Sequence, residues 1–390
     1  MKTSVAIIGS GPAGLLLGAL LTEAGIDNVI VERADKQRIL SRVRAGVLEQ
    51  GTVGLLDQAG VATRLHSEAL HHSGILVARG ENIKRLDLEQ LTGGTGVTVY
   101  GQVEITRDLM EKRESTGAQT IYNASDVKLW DVNDDRPYVT YEKGGSKFSI
   151  DCDFIAGCDG NHGVSRQSLP PNTLRQYEHI YPFCWLGLLA EVRPCSDEQV
   201  YSKHSRGFAL CSIRSKTRTR YYLQLPVGTR VEDWTDERFW DELKLRLPER
   251  FSDSLVTGPS FDKTVTPLRS FVSEPMQSGN LFLAGDAAHL VPPTGAKGLN
   301  LAASDVHYLF TAFHDFYSKG SETGLSSYSD LALGRVWKTV RFAWWMTTML
   351  HQFPEANRFD QRIRESELDY VLSSKAASTA LAENYVGLPY

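Results

Sequence analysis

The sequence predicts an α/β fold with an added β-sheet unit and a helical C-terminal region, on three observations. A short apolar run at 5–8 leads into Gly9-Ser-Gly11-Pro-Ala-Gly14, an apolar-rich helical pattern and a second strand pattern, NVIVE, ending at Glu32. Segments 74–100 and 183–224 carry short β-like runs broken by glycine or charge. From Lys297 onward apolar residues recur at spacings of three and four, as in LAASDVHYLFTAFHDFY and LALGRVWKTVRFAWWMTTMLHQF.

The opening segment reads strand, glycine turn, helix, strand, with an acid eighteen residues after Gly14, which is the context a dinucleotide-binding, Rossmann-like turn requires. Gly9 permits the tight turn, Gly11 lets the main chain approach a pyrophosphate, and Gly14 lets the helix lie close to the strand. The helix start offers N–H groups to phosphates, and Glu32 can accept from a ribose diol. A carboxylate there repels a 2′-phosphate, which favours FAD or NAD over NADP at this site.

At 390 residues the chain is long enough for two or three packed units, since single cores stop growing near roughly 250–300 residues. A formal net charge of -5 offers no general attraction for nucleic acid or an anionic membrane, so any cationic site must be local. Five scattered cysteines without CxxC spacing suggest neither a disulfide framework nor a metal site, and the cytoplasm is the expected compartment. The apolar start is broken by Gly9, Gly11, Pro12 and Gly14, so it reads as folded structure rather than a signal peptide. FAWWMTTML at 342–350 falls short of the ~20 apolar residues of a membrane span and reads as a buried helix.

The stretch CSIRSKTRTRYYLQ, 211–224, sets Arg214, Lys216, Arg218 and Arg220 at alternate positions. A solvated edge strand is one reading, and an anion site is the other. Read as a hairpin with its midpoint at Thr217, it sets Ser212 opposite Tyr222 and Arg214 opposite Arg220 on one face, with Lys216 and Arg218 at a solvated turn. Two opposed arginines need an anion or separate partners, and a forked guanidinium beside a hydroxyl and a phenol suits a carboxylate.

Two later strands, FIAGCDG at 154–160 and LFLAGDAAH at 281–289, end in Asp-Gly and Gly-Asp, and the second leads into VPPTGAKGLNLAASD. With the glycine turn, these resemble the fingerprints of the FAD-dependent aromatic hydroxylases over most of the chain. YPFCWLGLLA, RGFALCSIRSKTRTRYY, TPLRSFVSEPM and ENYVGLPY strengthen the resemblance and include its substrate strands.

The resemblance implies that FAD is the cofactor, with NADPH or NADH as co-substrate, and that 4-hydroxybenzoate is hydroxylated at C3 to 3,4-dihydroxybenzoate using O2. A related hydroxylase for another phenolic or amino benzoate is the alternative. The implied organisation is a Rossmann-like FAD-binding domain over 1–180, with 71–100 contributing to the substrate sheet, a β-rich substrate-binding domain over 181–268, and a flavin-closing segment and helical region over 269–390. A homodimer is implied as well.

By the same resemblance Arg214 pairs with the benzoate carboxylate beside Ser212 and Tyr222. Tyr201 and Tyr385 hydrogen-bond the phenol oxygen, with His72 at the outer end of a proton relay and the Pro293 carbonyl near the hydroxyl. Asp159, Asp286, Gln102, Arg42, Arg44, Arg220, Lys297 and the Gly298-Leu299-Asn300 helix start serve FAD. Arg44, Arg220, Lys297 and Asn300 would bias the position of a mobile flavin ring. Arg33, Arg38, Arg42, Arg44, His162, Arg166 and Arg269 would meet the nicotinamide nucleotide. Residues 34–38 depart from the family, leaving NADPH against NADH open: Arg33, Arg38 and Arg42 could pair a phosphate, and Asp35 argues the other way. Ala13 departs too, replacing a hydroxyl near the pyrophosphate. On pattern alone Asp286 can also be a helix N-cap, a role compatible with the first, and His72 a surface histidine.

Overall fold

The computed structural model describes residues 1–41 and 46–390. The expectations on Arg42 and Arg44 lie outside the described residues.

The glycine turn feeds a six-stranded sheet ordered Gln277–Ser278, Leu281–Leu283, Phe154–Gly157, Val5–Ile8, Asn28–Val31, Thr120–Ile121. All neighbours are parallel except the Gln277–Ser278 edge. Val5–Ile8, Asn28–Val31 and Phe154–Gly157 are buried at every position, the apolar run expected of parallel strands covered on both faces. Gly9, at φ +100°, takes a conformation an L side chain rarely adopts, and a Cβ on Gly14 would stand 2.0 Å from the Gly9 carbonyl oxygen. The helix Pro12–Glu23 then runs back against the long helix Gly298–Lys319.

Non-contiguous segments build the second sheet. Its eight strands run His289–Leu290, Ser260–Glu274, Arg175–Ala190, Arg218–Pro226, Ala209–Ser215, Val200–Lys203, Gly74–Arg79, Asn82–Asp87. The expected boundaries at 180 and 268 fall inside Arg175–Ala190 and Ser260–Glu274, which pair with each other along most of their length. Side chains alternate between two cores. Leu186, Leu188, Tyr221 and Leu223 pack on the helix Asp236–Arg246. Trp185, Tyr201 and Leu210 face the helices Thr323–Leu350 and Lys375–Val386 through Phe342, Met346 and Tyr385. The 342–350 segment closes the first of these helices, with Phe342 and Met346 buried but Trp344 46% exposed. No helix among the described residues is long and apolar enough to cross a membrane.

The hairpin forms, but its register differs from the expected one by two residues. Ser212 lies opposite Arg220 and Leu210 opposite Tyr222, the turn is Lys216-Thr217, and the register shifts between Ile213 and Ser215. Arg214 is the extra residue of a bulge and has no opposite partner. The two-residue turn sets the pairing, and the bulge removes the juxtaposition of two arginines that a Thr217 midpoint would impose. Face parity survives, because the shift is even. Arg218 does not end in water alone: it starts the second strand and hydrogen-bonds Glu191.

Candidate active site

The three fingerprint segments converge. A Cβ on Gly285 would lie 3.5 Å from Ala13 Cβ and 3.2 Å from Ala302 Cβ, so the glycine turn, the Gly285–Ala287 turn and the Gly298–Lys319 helix start share one locus. Both helices that begin there lack a side-chain cap, leaving first-turn N–H groups for an acceptor. Cβ atoms built on Gly11 and Gly298 meet nothing within 4 Å among the described residues, so both backbones are free of close neighbours there. Glu32 accepts from Ser10 N–H at 2.7 Å and the Ser10 hydroxyl at 3.1 Å on Oε2 and from Ala34 N–H at 2.8 Å on Oε1, which aligns its carboxylate beside the turn and leaves a lone pair on Oε1. Asp159 accepts from the Ser165 N–H and hydroxyl at 2.9 Å on one oxygen. Its other oxygen is buried without a partner, and burial raises its pKa. This donor and acceptor set fits a bound dinucleotide.

Asp286 sits in a short 3-10 turn that leads into the strand His289–Leu290, so no α-helix follows for it to cap. Gln102 opens the helix Gln102–Ser115, half-buried. Asn300 turns inward, its amide oxygen accepting from Glu49 N–H at 2.9 Å and Thr52 Oγ1 at 2.8 Å and its nitrogen donating to the Val47 carbonyl at 2.8 Å. Lys297 is buried and donates to Glu49 Oε1 at 2.6 Å and to the Tyr385 carbonyl at 2.8 Å. Burial pulls its pKa down, against the attraction of Glu49. Arg335 donates to the other Glu49 oxygen at 2.8 Å, completing a buried cluster in which one carboxylate serves two cations.

On the substrate side, Arg214 lies deep in the protein yet keeps part of its surface accessible. Its Nη1 donates to Ser212 Oγ at 2.8 Å and its Nη2 to Tyr222 Oη at 3.4 Å, while Nε is buried without a partner. No ion pair to a carboxylate forms among the described residues, and burial lowers its pKa. A deep cation with an unspent donor is an anion site in waiting.

Tyr201 and Tyr385 are both buried, and their hydroxyls are 2.8 Å apart. Burial lifts the Tyr201 pKa well above 10, opposed by Arg214 nearby, and pushes Tyr385 up to about 12. The cation, the hydroxyl pair and the aromatic walls of Trp185 and Tyr222, with rings 5.0 Å apart, therefore belong to one region. His72 is buried, not a surface residue; its Nδ1 has no partner and burial lowers its pKa, with Glu198 acting the other way. Pro293 is exposed, and its carbonyl accepts from Ala296 N–H at 2.9 Å. Arg220 is ion-paired with Asp262, donates to Thr264 Oγ1 at 2.6 Å and lies over the Tyr222 ring at 5.5 Å.

The residues expected at the nicotinamide nucleotide form two groups. Arg166 and Arg269 flank Phe271, with guanidinium carbons 4.7 and 5.9 Å from the ring centre, and His162 is exposed on the same loop as Arg166. Burial lowers the Arg166 pKa, and Arg269 adds to the effect. Arg33 and Arg38 are exposed after the second strand, and Asp35 there caps a short helix through Arg38 N–H at 2.8 Å. Sequence reasoning missed Glu49, Gln199 and the buried His289–Asp305 pair at 2.6 Å. Glu49 and Gln199 carry no motif signal, and His289 and Asp305, though inside the quoted fingerprint stretches, are paired only by folding.

The FAD binding domain family matches residues 2–343. A p-hydroxybenzoate hydroxylase of Acinetobacter baylyi is 56% identical over 390 residues, spanning 100% of this chain and 96% of that protein. A 3-(3-hydroxy-phenyl)propionate/3-hydroxycinnamic acid hydroxylase of Burkholderia vietnamiensis is 25% identical over 319 residues; the match spans 78% of this chain but 55% of that relative. Among solved structures, p-nitrophenol 4-monooxygenase of Pseudomonas putida matches with a TM-score of 0.81 over 100% of both chains at 17% identity, a likeness of fold.

Proposed function

Because the chain belongs to the FAD binding domain family of flavoprotein aromatic hydroxylases, we propose that it hydroxylates 4-hydroxybenzoate at C3 to give 3,4-dihydroxybenzoate. The observation that carries the reading is the deep Arg214 cation, without a carboxylate partner among the described residues, set in one region with the Tyr201–Tyr385 hydroxyl pair. When bound, FAD would supply the redox chemistry, with NAD(P)H as reductant and O2 as the source of one oxygen atom for the ring and one for water.

The chain's own part is positioning and proton transfer. Arg214, Ser212 and Tyr222 hold the carboxylate, and a para substituent then points to the opposite end of the space, where Tyr201 supports it. The ring is nucleophilic at the carbon beside the phenol only when the phenol ionises, and free phenols hold their proton near a pKa of ~10. Tyr201 can take the phenol proton only as it gives its own to Tyr385, since burial disfavours either tyrosinate, a penalty that Arg214 nearby eases for Tyr201. His72 and the Pro293 carbonyl are proposed as the outer relay and a contact to the hydroxyl.

Gly9, Gly11, Gly14, Glu32, Asp159, Asp286 and the Gly298-Leu299-Asn300 helix start would hold the dinucleotide, with Gln102 and Arg220 beside it. Lys297 and Asn300 would act by fixing Glu49 and the Val47–Leu48 strand beneath the helix start. Arg166, Arg269 and His162, together with Arg33 and Arg38, would meet the nicotinamide nucleotide. Residence in the cytoplasm and assembly as a homodimer belong to the same proposal. Five free thiols support the first, and exposed Trp344, Phe359, Ile363 and Tyr370 on the C-terminal helices support the second.

The test is to incubate the purified yellow protein with NADPH or NADH and a panel of hydroxy- and aminobenzoates, following O2 uptake and product. Stimulation by 4-hydroxybenzoate with formation of the 3,4-diol is expected. Stimulation by another benzoate alone would transfer the assignment to that acid.

A further inference from the structure

Gln199 is 2% exposed, and its Nε2 is buried without a hydrogen-bond partner. It directly precedes the strand Val200–Lys203, and its carbonyl accepts from Leu76 N–H at 2.9 Å, so its backbone is fixed. Extending the Val200↔Cys211 pairing by one step sets it across from Ser212. Gln199 and Tyr201 share a face because they are two apart on extended chain. Its Oε1 accepts from Ser212 Oγ at 3.2 Å.

That bond has a consequence for the anion site. Ser212 Oγ already accepts from Arg214 Nη1 at 2.8 Å, and a hydroxyl has one proton. With the proton given to Gln199, Ser212 presents only lone pairs to an incoming carboxylate, which would repel it. Turning the Gln199 carboxamide over changes its polarity without changing its shape. Nε2 then donates to Ser212 Oγ, which can still accept it alongside Arg214, and the Ser212 proton is released to the anion. Nε2 has no bond to lose in this exchange, and Arg214 Nε, likewise unpartnered, is a second donor for the same carboxylate.

We infer that Gln199 is a positioning residue for the substrate carboxylate: by reversing its side-chain amide it hands the Ser212 proton from its own oxygen to the bound anion. This rests on the proposed reading of Arg214 and Ser212 as the carboxylate site. Gln199 acts through Ser212 and need not touch substrate.

A double-mutant cycle tests it. The holoenzyme's flavin absorbance is titrated with 4-hydroxybenzoate in wild type, Ser212→Ala, Gln199→Glu, Gln199→Glu/Ser212→Ala and Arg214→Ala. A carboxylate can only accept, so Gln199→Glu holds the Ser212 proton permanently. Ser212→Ala is expected to raise Kd about tenfold in the wild-type background, the size of one hydrogen bond to a charged group. In the Gln199→Glu background it should change Kd less than about twofold. An equal factor in both backgrounds, or no effect in wild type, overturns the inference.

If wild type fails to bind the benzoate, or Arg214→Ala binds it equally well, the carboxylate site itself is wrong; if those two arms behave and only the cycle is additive, Gln199 alone is wrong. Should Gln199→Glu fail to fold, wild-type protein labelled with 15N-glutamine provides the second measurement. The Nε2 resonance, identified by its loss in Gln199→Met, is expected to move when 4-hydroxybenzoate is added, and a stationary signal overturns the inference.

Discussion

Arg214→Ala should separate binding from stability in opposite directions. In the unliganded protein the guanidinium lies deep, has no carboxylate partner among the described residues and keeps Nε without an acceptor. Removing it relieves an uncompensated cation, so the unliganded melting temperature should hold or rise. Binding should suffer, because the substrate carboxylate would enter the same space with no charged partner. Truncating one member of a buried, hydrogen-bonded charge pair costs about 2–5 kcal/mol, or roughly 30- to 5,000-fold in Kd. Titration of the flavin absorbance with 4-hydroxybenzoate reads Kd, and 4-hydroxybenzamide, the neutral analogue, should lose far less. A Kd within about threefold of wild type, or an equal loss for the amide, would refute the reasoning.

Tyr385→Phe removes the hydroxyl bonded to Tyr201, so hydroxylation should slow by about 10²- to 10⁴-fold, as for loss of a general acid or base, while flavin content stays intact; equal single-turnover rates would count against the relay. Gly11→Ala should fold but bind FAD more weakly, since its Cβ meets nothing within 4 Å among the described residues. Gly14→Ala should lose folded protein, its Cβ standing 2.0 Å from a backbone oxygen; circular dichroism and flavin content distinguish the two. His351 is buried and accepts from Trp185 Nε1–H at 2.8 Å, and burial pulls its pKa down to about 3. With its folded pKa depressed, its contribution is present above the unfolded value of ~6.5 and is lost as pH falls towards 3, by up to roughly 4–5 kcal/mol at 1.36 kcal/mol per pH unit. Denaturant melts from pH 7 to 4 should therefore fall less steeply for His351→Gln than for wild type.

The parts legible in the sequence are those whose physics is local. The glycine turn could be read because Gly9 needs a positive φ and Gly14 a near contact with its own preceding loop, requirements that sit within six residues. The shared face of Ser212, Arg214 and Tyr222 could be read because strand parity is a property of spacing. The hairpin register could not, since it depends on which two residues close the turn and on a bulge that takes up Arg214.

The sequence by itself determined the fold class, the dinucleotide turn and the cationic face of the substrate strand, each encoded by neighbours along the chain. Only the tertiary structure decided which charges are spent and which remain. Arg220 finds Asp262 and Lys297 finds Glu49, at separations of 42 and 248 residues, whereas Arg214 finds no carboxylate among the described residues. Gln199 meets Ser212 only because Val200–Lys203 and Ala209–Ser215 pair in one register. A side chain's residual charge and hydrogen-bonding capacity is what remains after folding has brought partners from distant segments to it, and no local pattern records that remainder.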